Sequence, residues 1–593
     1  MASRMADPTR SAMVPRLAEH HLRDAVRPGR DEDELMGTER GLDGLRSLAR
    51  RRGRAGETLV DALAAERAGT ADAPEAWAPA VAARLGLPRA SGLGPASFYA
   101  DLAAAHGRCH VRVCAGTACF AAGGGRRVSD VEQEFGVAVG GVGADAAISI
   151  QAVRCLGYCY AGPAALDGDE ACTGADVVEQ LAGRTARRDP EIPAFDATGD
   201  PVLLSGVLSG EPGWRVWPGV AAVCTPEQIR AEVERSGLRG RGGAAYPVAA
   251  KWAAVVGHPS PVVVANGDEG DPGSFADRLL MERDPDRLLE GLALACFACG
   301  AAEGIVLVRS EYPGAQARLR EAVRRAYADG HLGSRVHGGP ATLDVRVATG
   351  AGSYVGGEET ALIAGLEGGR GSSRSRPPYP TEEGLWDAPT VVNNVETLAA
   401  VPWIIAHGGE AYARRGVPEQ TGTKLVCLSE RFARPGCYEV EFGARLDWIV
   451  RELGGGLRGG AELAVLQVGG PLGGFLPASG LDVRLTDRAL AARGAALGHA
   501  GLVAFDTDIE PRDVLRYLWQ FADAESCGAC SPCRVGSRRG LELAAAGGPP
   551  DPEYRRWMRV LEEASLCAFG RRIPPAVRSL VGAYDGRLSS WEV

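Results

Sequence analysis

The sequence predicts an α/β protein of several domains, and three observations support this fold class. A chain of 593 residues is too long for one hydrophobic core, so roughly three to five domains are expected. Short apolar runs typical of strands alternate with helical patterns between about residues 216 and 415, which predicts a largely parallel sheet covered on both faces. Eight of the fifteen cysteines form two sets of four that flank this region, which predicts metal-binding domains at both ends.

The C-terminal cysteine set has the more specific spacing. Cys527, Cys530 and Cys533 follow the pattern C-x2-C-x2-C, and Cys567 lies further along the chain. Three thiolates on one short loop and a fourth from elsewhere are typical of a [4Fe–4S] cluster. A structural zinc site prefers two separated pairs of ligands, which this run does not offer. The spacing therefore predicts a cluster that carries electrons.

The N-terminal cysteine set consists of two pairs on two loops. Cys114 and Cys119 are separated by four residues, and Cys155 and Cys159 by three. Two pairs suit four thiolates around a binuclear [2Fe–2S] cluster. Zinc, or buried cysteines without any ligand, are the alternatives that this spacing leaves open.

Composition narrows the function classes. An apolar content of 45% and a charged content of 24% are ordinary for a globular protein. The formal charge is −10 and the sequence contains no block of basic residues, so nucleic acid is not an expected partner. No apolar run reaches the ~18 residues of a membrane span, and the first forty residues lack the apolar segment of a signal peptide. Fifteen cysteines with cluster-like spacing favour a reducing compartment, the cytoplasm.

Local patterns divide the chain into segments. A strand at His110–Val113 leads into Cys114, and a good helix start at Thr225 carries a capping-box pattern with Pro226 and Gln228. Short strand patterns around one helix near 446–453 suggest a compact β-grasp-like module. The expected segments are a disordered tail at 1–40, a helical part at 41–107, a small α/β domain at 108–180, a linker at 181–215, the large α/β domain at 216–415, the β-grasp-like module at 416–505 and a helical domain at 506–593.

The first glycine-rich loop lies in the large α/β domain. Gly240, Arg241, Gly242 and Gly243 fit the pattern G-x-G-x-x-G/A, but they follow a helix, whereas a dinucleotide fingerprint follows a strand. Glycines still let backbone N–H groups approach a flat ring or a phosphate closely, and Arg241 and Lys251 add positive charge. A plain helix C-cap is the alternative interpretation.

A second glycine-rich loop has a better context for an anion site. A strand pattern at 343–347 precedes Gly350–Gly357, and Glu358 and Glu359 open a helix. A helix N-terminus after a glycine loop suits phosphate, although both carboxylates also fit a simple capping role.

Two further polar turns follow strands in the same domain. Asn266–Gly273 stands at the carboxyl end of the strand at 262–265, and Asn393–Asn394 follows the apolar run at 389–392. Ligands gather at the carboxyl ends of strands in open α/β sheets. Four such turns in one domain favour a binding site over a purely structural explanation.

In this order, the segments resemble the NADH-oxidising flavoprotein of respiratory complex I and its relatives in NAD-reducing hydrogenases and NAD-dependent formate dehydrogenases. The region upstream resembles the 24-kDa-type thioredoxin-like [2Fe–2S] subunit, here fused in front. The matching segments are Gly237–Trp252, Asn266–Asp277, Gly350–Thr360, Pro389–Thr397, Glu525–Gly536 with Cys567, and, upstream, Ala96–Tyr99 with the N-terminal cysteine set.

The resemblance implies a Rossmann-like domain for FMN and NADH, a β-grasp domain and a helical [4Fe–4S] domain. It also implies FMN as the group between NADH, which delivers two electrons, and clusters that accept one electron at a time. Contacts to FMN are implied for Gly240, Arg241, Gly242, Gly243, Lys251, Asn266, Asp268, Tyr354, Gly357, Asn393 and Asn394; contacts to the dinucleotide for Tyr246, Glu269, Glu359, Arg376 and Tyr379; and a place for Glu358 beside the reacting rings.

The fusion of both parts favours a hydrogenase-type or formate dehydrogenase-type diaphorase with other iron–sulfur and catalytic subunits as partners. A complex I-type input module is the alternative within the family. Ala254 stands where the family has an aromatic residue that helps to hold adenine, and Ala245 replaces a glycine, while Tyr246, Tyr379 and Arg376 keep ring or charge. An electron carrier without NADH turnover, and a zinc-stabilised interaction protein, are the alternatives outside the enzyme class.

Overall fold

The computed structural model describes residues 58–68, 70–124, 126–188, 191–339, 341–547 and 552–591. The expected tail at 1–40 and residues 41–57 of the expected helical part lie outside the described residues. Within the described ranges, no helix combines the length and apolar character that crossing a bilayer requires.

The N-terminal region is helical at first and then forms a small mixed sheet. Strands β1 (Cys109–Cys114) and β2 (Ile148–Val153) are parallel, and β3 (Ala164–Asp167) and β4 (Glu170–Thr173) complete the order β2-β1-β3-β4. The carboxyl ends of β1 and β2 therefore lead side by side into the two cysteine loops. The helices are Leu59–Arg67, Pro74–Arg84, Ala90–Ala96, Ala100–Ala103, Thr117–Gly123, Arg127–Phe135 and Val177–Leu181.

The segment at 181–215, expected to be a linker, is built into the fold. Strand β5 (Phe195–Ala197) pairs in parallel with a strand of the β-grasp-like module. The carboxylate of Glu439 accepts hydrogen bonds from the backbone N–H groups of Val202, Leu203 and Leu204 at 2.8–3.0 Å. Proline and aspartate content indicated a loop, but this buried carboxylate holds the segment in place.

The large domain is an open parallel sheet, as the alternation of patterns predicts. Strands β6 (Val262–Gly267), β7 (Glu303–Val308), β8 (Asp344–Thr349) and β9 (Thr390–Asn394) follow the order β8-β7-β6-β9. The capping box at Thr225 is formed as expected. Helices surround the sheet at Trp217–Val223, Pro226–Ser236, Val248–Ala253, Ala276–Arg283, Pro285–Cys299, Pro313–Ala328, Glu359–Leu366, Val395–His407 and Gly409–Ala413.

The β-grasp-like module is a six-stranded sheet in which β5 forms one edge. Its helix covers the predicted range 446–453, with Leu446–Trp448 α-helical and Ile449–Leu453 π-helical. A short hairpin, Gly416–Val417 (β10) with Gln420–Thr421 (β11), precedes the sheet. The remaining strands are Thr423–Leu428 (β12), Gly436–Glu441 (β13), Leu463–Val468 (β14), Phe475–Pro477 (β15) and Gly501–Asp506 (β16), with helix Asp487–Ala491.

The C-terminal region is helical, as expected. Its helices are Pro511–Glu525, Ser531–Ala546, Tyr554–Ala564 and Ala568–Ala583. Gly536 and Gly540 let these helices pack closely, because a Cβ atom at either position would lie within 2.2 Å of Leu561 or Trp519. The mixed α/β architecture, with a helical C-terminal region, confirms the predicted fold class.

Candidate functional site

The four N-terminal cysteines lie together and are buried. Cys114 ends β1, Cys119 lies on helix Thr117–Gly123, and the Sγ atoms of Cys155 and Cys159 are 3.5 Å apart on the loop after β2. Their exposed fractions are between 0 and 4%. A hydrogen bond between Cys119 and Cys114 lowers the pKa of the Cys114 thiol to about 7 and raises the pKa of Cys119. Four convergent thiols fit a [2Fe–2S] cluster.

Other modules close over this cysteine set. The N–H of Gly273, from the acidic turn after β6, donates to Sγ of Cys159 at 3.3 Å. The ring of Phe120 packs against Tyr517 of the C-terminal region, with ring centroids 5.1 Å apart. The set is therefore enclosed within the chain.

The four C-terminal cysteines also converge, but they are more exposed. Cys533 is buried, whereas Cys527, Cys530 and Cys567 are half-buried. The N–H of Leu566 donates to Sγ of Cys530 at 3.5 Å, which brings the distant Cys567 loop to the first three. Burial, with Cys530 and Cys567 nearby, raises the pKa of the Cys533 thiol to about 11. The donor set fits a [4Fe–4S] cluster.

The second glycine loop lies against the acidic turn after β6. Nδ2 of Asn266 donates to the carbonyl of Gly357 at 2.8 Å. A Cβ atom at Gly356 or Gly357 would lie 2.7–2.9 Å from oxygens of Asp268, so only glycine permits this approach. Burial raises the pKa of Asp268 to about 7, although Arg309, 3.6 Å away, opposes the shift. The closely packed backbone of the second glycine loop and the amide of Asn266 form a surface that suits a flat ring such as that of a flavin.

Tyr354 connects this loop to the C-terminal region. Its hydroxyl donates to Asp271, and its N–H donates to the carboxylate of Glu525 at 3.1 Å. Its ring packs against Phe521 and Phe569, with centroids 5.0 and 5.6 Å apart. Burial raises the pKa of Tyr354 well above its usual value, so the phenol stays protonated.

The first glycine loop carries a strained alanine. Gly242 and Gly243 are exposed, which leaves their backbone open to a ligand. Ala245 has a φ of 49°, in the left-handed region, where a non-glycine residue costs about 1–2 kcal/mol. The alanine therefore keeps the backbone conformation of the glycine it replaces.

The side chain of Arg241 does not supply charge to this loop, contrary to the prediction. Its guanidinium donates to the hydroxyl of Tyr412 at 2.6 Å and to the carbonyl of Thr421 at 2.9 Å, and it stacks over Phe442. It is buried between the large domain and the β-grasp-like module. Only the backbone of Arg241 remains in the loop.

Lys251 and three other charged groups form a compact network at the start of helix Glu359–Leu366. Nζ of Lys251 lies 2.8 Å from Glu359 and 3.2 Å from the carbonyl of Val392. Arg376 pairs with both Glu358 and Glu359. Glu358 is also the N-cap, accepting from two backbone N–H groups, so the capping role considered for it is present. Two cations thus offset two carboxylates.

The double asparagine lies at the end of β9, beside the first loop. Oδ1 of Asn393 accepts from the indole of Trp252 at 2.8 Å. Asn394 caps helix Val395–His407 through Thr397 and donates to Asp277. Neighbouring residues hold both asparagine side chains in place, so the surface beneath the first glycine-rich loop is rigid.

The carboxylate of Glu269, expected to contact the dinucleotide, is occupied by donors within the chain. Its carboxylate is 1% exposed and accepts from the hydroxyl of Ser274 at 2.5 Å. It also accepts from the N–H groups of Asp277 and Arg278 and from Tyr312. These donors occupy the carboxylate, so Glu269 stabilises the start of helix Ala276–Arg283.

The aromatic residues expected at the nucleotide are open to solvent. Tyr246 is 53% exposed and Tyr379 is 50% exposed, so each ring face is free to stack. Ala254 is exposed one turn beyond Lys251, on the same side of the helix. A ring is therefore missing at an accessible position.

Several neighbours of the site carried no clear sequence signal. Ser373 and Glu358 both lie near the thiol of Cys567. Asp277 and Arg309 are buried partners of the asparagine and aspartate described above. Of these, Glu358 and Asp277 lay within the matching segments, whereas Ser373 and Arg309 lay outside them, because isolated polar residues resemble surface residues in a sequence.

Three known families match successive parts of the chain. The Nuo51 FMN-binding domain matches residues 233–403. The thioredoxin-like [2Fe-2S] ferredoxin matches residues 47–181, and the NADH-ubiquinone oxidoreductase-F iron-sulfur binding region matches residues 513–589. These families cover both cysteine sets and the glycine loops.

Individual proteins are similar over different lengths. The NADP-reducing hydrogenase subunit HndC of Solidesulfovibrio fructosivorans is 37% identical over 62% of this chain and 77% of its own length. An NADH-quinone oxidoreductase subunit of Escherichia coli (strain K12) is 40% identical over 58% of this chain and 78% of its own. A chain of the NAD+-reducing [NiFe]-hydrogenase, crystallised in the H2-reduced state, is 30% identical, with a TM-score of 0.80 over 91% of this chain and 93% of its own.

Proposed function

Because this chain belongs to the family of NADH-oxidising dehydrogenase subunits that contain FMN and iron–sulfur clusters, we propose that it is the diaphorase subunit of a hydrogenase or formate dehydrogenase complex. The extent of the structural similarity carries this proposal. The hydrogenase chain matches 91% of this chain, including the fused N-terminal region, whereas the NADH-quinone oxidoreductase relative from Escherichia coli matches only 58%. A complex I-type input module is the second candidate within the family.

The residues around the glycine loops support the binding of FMN. The group, when bound, accepts two electrons as hydride and releases them one at a time. The open backbone of Gly242 and Gly243, the ammonium of Lys251 and the Asn266–Gly357 contact would hold it, with Asp268, Tyr354, Asn393 and Asn394 around them. We do not propose ligand contacts for the side chain of Arg241, expected at FMN, or for that of Glu269, expected at the dinucleotide, because both are held by other residues of the chain.

The charged network supports a nucleotide beside the flavin. Glu359 and Arg376 would contact the dinucleotide, and Tyr246 and Tyr379 would stack on it. Glu358 would lie near the reacting rings without acting as an acid or base, because its carboxylate is held by two N–H groups and by Arg376. The protein would thus orient the two rings.

The C-terminal cysteine set is placed to take electrons onward. Cys567 lies near Ser373 and Glu358, at the nucleotide side of the large domain. Tyr354 spans the distance from the flavin loop to Phe569, next to this set. Other iron–sulfur and catalytic subunits are the proposed partners. All fifteen cysteines are free thiols, which supports a reducing, cytoplasmic location.

An electron carrier that has lost NADH turnover is a further candidate, and Ala254 is the observation that favours it. The exposed alanine offers no ring to adenine. A visible spectrum separates the alternatives: FMN and clusters give a brown protein with a flavin band, a carrier that has also lost FMN lacks that band, and zinc gives no colour.

The test is an NADH oxidation assay on the full chain, purified anaerobically with FMN. We expect bleaching of the flavin by NADH and turnover with ferricyanide, since flavin and nucleotide sites lie in one domain. Bound FMN that NADH does not reduce would contradict this proposal and favour the carrier.

A further inference from the structure

The second glycine loop has little packing beneath it. A cavity of about 40 Å³ is lined by Gly350, Gly352 and Gly356 of the loop and by Asp61 of the first described helix. Glycines have no side chains to fill such a space, and unfilled space removes the contacts that fix a backbone. The position of this loop therefore depends on hydrogen bonds from its neighbours.

The N-terminal region supplies several of these hydrogen bonds. The N–H groups of Ala100 and Asp101, at the start of a short helix, donate to the carbonyls of Gly352 and Ala351 at 3.0 and 3.3 Å. The hydroxyl of Tyr99 donates at 3.1 Å to the carbonyl of Gly369, which lies beyond the helix that follows the loop. The loop is thus held from outside its own domain.

The carboxylate of Asp101 fixes this contact from two sides. Nε2 of Gln151, on β2, donates to Oδ1 at 3.0 Å, and the hydroxyl of Ser310, just after β7, donates to Oδ2. A Cβ atom at Gly352 would lie 2.9 Å from Oδ1, so the carboxylate lies directly against the loop. Asp101 joins the strand that leads to Cys155, the end of β7 and the glycine loop.

We propose that Asp101 is a positioning residue for the flavin loop, so that retention of FMN depends on the fused N-terminal region. This inference rests on the proposed function, because it takes Gly350–Gly357 as part of the FMN site. Without the carboxylate, Gln151 and Ser310 lose their shared acceptor, and the short helix is held against the loop by the backbone N–H groups of Ala100 and Asp101 without these side-chain bonds. The loop would then move over the cavity and release FMN more readily.

The test compares the full-length chain with Asp101→Ala, both loaded with FMN. Fluorescence of released FMN gives the dissociation constant, and we expect an increase of about tenfold, as for the loss of hydrogen bonds to a charged group. The paramagnetic signals of both clusters should be unchanged, and excess FMN should restore NADH oxidation. Glu134→Ala is the matched control, since Glu134 is a surface carboxylate of the same region that pairs with Arg184.

Unchanged FMN affinity in Asp101→Ala would overturn the inference. If Asp101→Ala also loses the N-terminal cluster signal, the FMN affinity of Ser310→Ala is measured instead. This variant removes a donor to Asp101 that belongs to the large domain. Weaker FMN binding with intact clusters supports the role of Asp101, and unchanged binding overturns it. An unmodified chain that takes up no FMN would instead contradict the proposed function.

Discussion

The two cysteine sets differ in their surroundings more than in their ligands. Cys114, Cys119, Cys155 and Cys159 are enclosed by other parts of the chain, whereas the set that begins at Cys527 is half-exposed. Within the part of the chain that the structure describes, the second set offers an outside electron acceptor the more accessible thiols. We therefore propose different roles for the two sets of four thiols. The enclosed set suits an internal store of electrons, and the half-exposed set suits the exit of electrons to an acceptor.

Burial also bears on the energetics of the two clusters. Reduction adds negative charge, and a low-dielectric environment disfavours that charge more strongly than a solvated one. We therefore expect the enclosed cluster to have the lower reduction potential. A store that is harder to reduce than the exit does not divert electrons from the main path.

The largest expected effect tests the exit. Cys530→Ser should remove the [4Fe–4S] signal in paramagnetic resonance and stop transfer to protein acceptors, because one of four ligands is lost. NADH should still bleach the flavin and reduce ferricyanide. An unchanged [4Fe–4S] signal would mean that the ligand assignment is wrong.

Cys109→Ser is the control for the other set. Cys109 lies on β1 close to Cys114, but its thiol donates to Asp167 at 2.9 Å and points away from the cluster ligands. We expect the [2Fe–2S] signal to persist in this variant and to disappear in Cys119→Ser. Loss of the signal in Cys109→Ser would contradict the assignment.

An iron chelator tests the difference in exposure between the two clusters without any substitution. Under mild oxidation in the presence of an iron chelator, the [4Fe–4S] absorption should bleach well before the [2Fe–2S] absorption, because three of its cysteines are accessible. Visible circular dichroism distinguishes the two clusters during the time course. Simultaneous bleaching would show that the enclosed set is open to solvent.

A substitution at the nucleotide site, through which electrons reach both clusters, should change the reduction of both clusters equally. Glu359 would repel a 2′-phosphate, a preference worth roughly 10- to 100-fold in a partly desolvated site. Lys251 and Arg376 offset its charge, so we expect the lower end of that range. Glu359→Ala should raise NADPH oxidation about tenfold and lower NADH oxidation only moderately.

Reduction of both clusters at the same relative rate is the internal control for Glu359→Ala. Comparable NADH and NADPH oxidation by the unmodified chain would contradict the role of this carboxylate. The ratio of initial rates with the two coenzymes, measured with ferricyanide, gives the answer.

A smaller increase, in NADH affinity, is expected from placing an aromatic ring at position 254 of the nucleotide site. Ala254→Phe should strengthen NADH binding by about 0.5–1.5 kcal/mol, a typical stacking contribution. The position is exposed, so the ring needs no repacking. The dissociation constant for NADH should fall severalfold with the rate of flavin reduction at saturation unchanged. An unchanged constant would mean that position 254 does not face the nucleotide.

The smallest effect concerns acid stability near the enclosed set. Burial, with repulsion from His110, lowers the pKa of His106 from 6.5 to about 3. The unfolded chain therefore binds the proton first, and the stability of this region is lost as pH falls from about 6.5 towards 3. His106→Gln should reduce the drop in melting temperature of the [2Fe–2S] signal between pH 7 and 5. An equal drop in both proteins would contradict this.

The main elements and both cysteine sets were predictable from local patterns. The capping box at Thr225, the strands that lead into Cys114 and Cys155, and the loop before Glu359 all formed where residue type and spacing indicated. These features depend on neighbours within a few positions. They are therefore visible in a sequence.

Side-chain direction was not predictable in the same way. Arg241 and Glu269 stand in the expected turns, but one contacts Tyr412 and the other contacts Arg278, both inside the protein. Strand β5 depends on pairing with a strand more than two hundred residues away, so its composition alone indicated a linker. Partners far along the chain decided the cases of Arg241 and strand β5, whereas Glu269 contacts donors within nine positions, whose direction its residue type did not indicate.

The most direct test uses an acceptor too large to reach an enclosed group. The unmodified chain, Cys119→Ser and Cys530→Ser are compared for NADH-dependent reduction of cytochrome c, with ferricyanide as a small acceptor. We predict that all three reduce ferricyanide and that only Cys530→Ser fails to reduce cytochrome c. Loss of cytochrome c reduction in Cys119→Ser, with full activity in Cys530→Ser, would contradict the assignment of the half-exposed set as the exit.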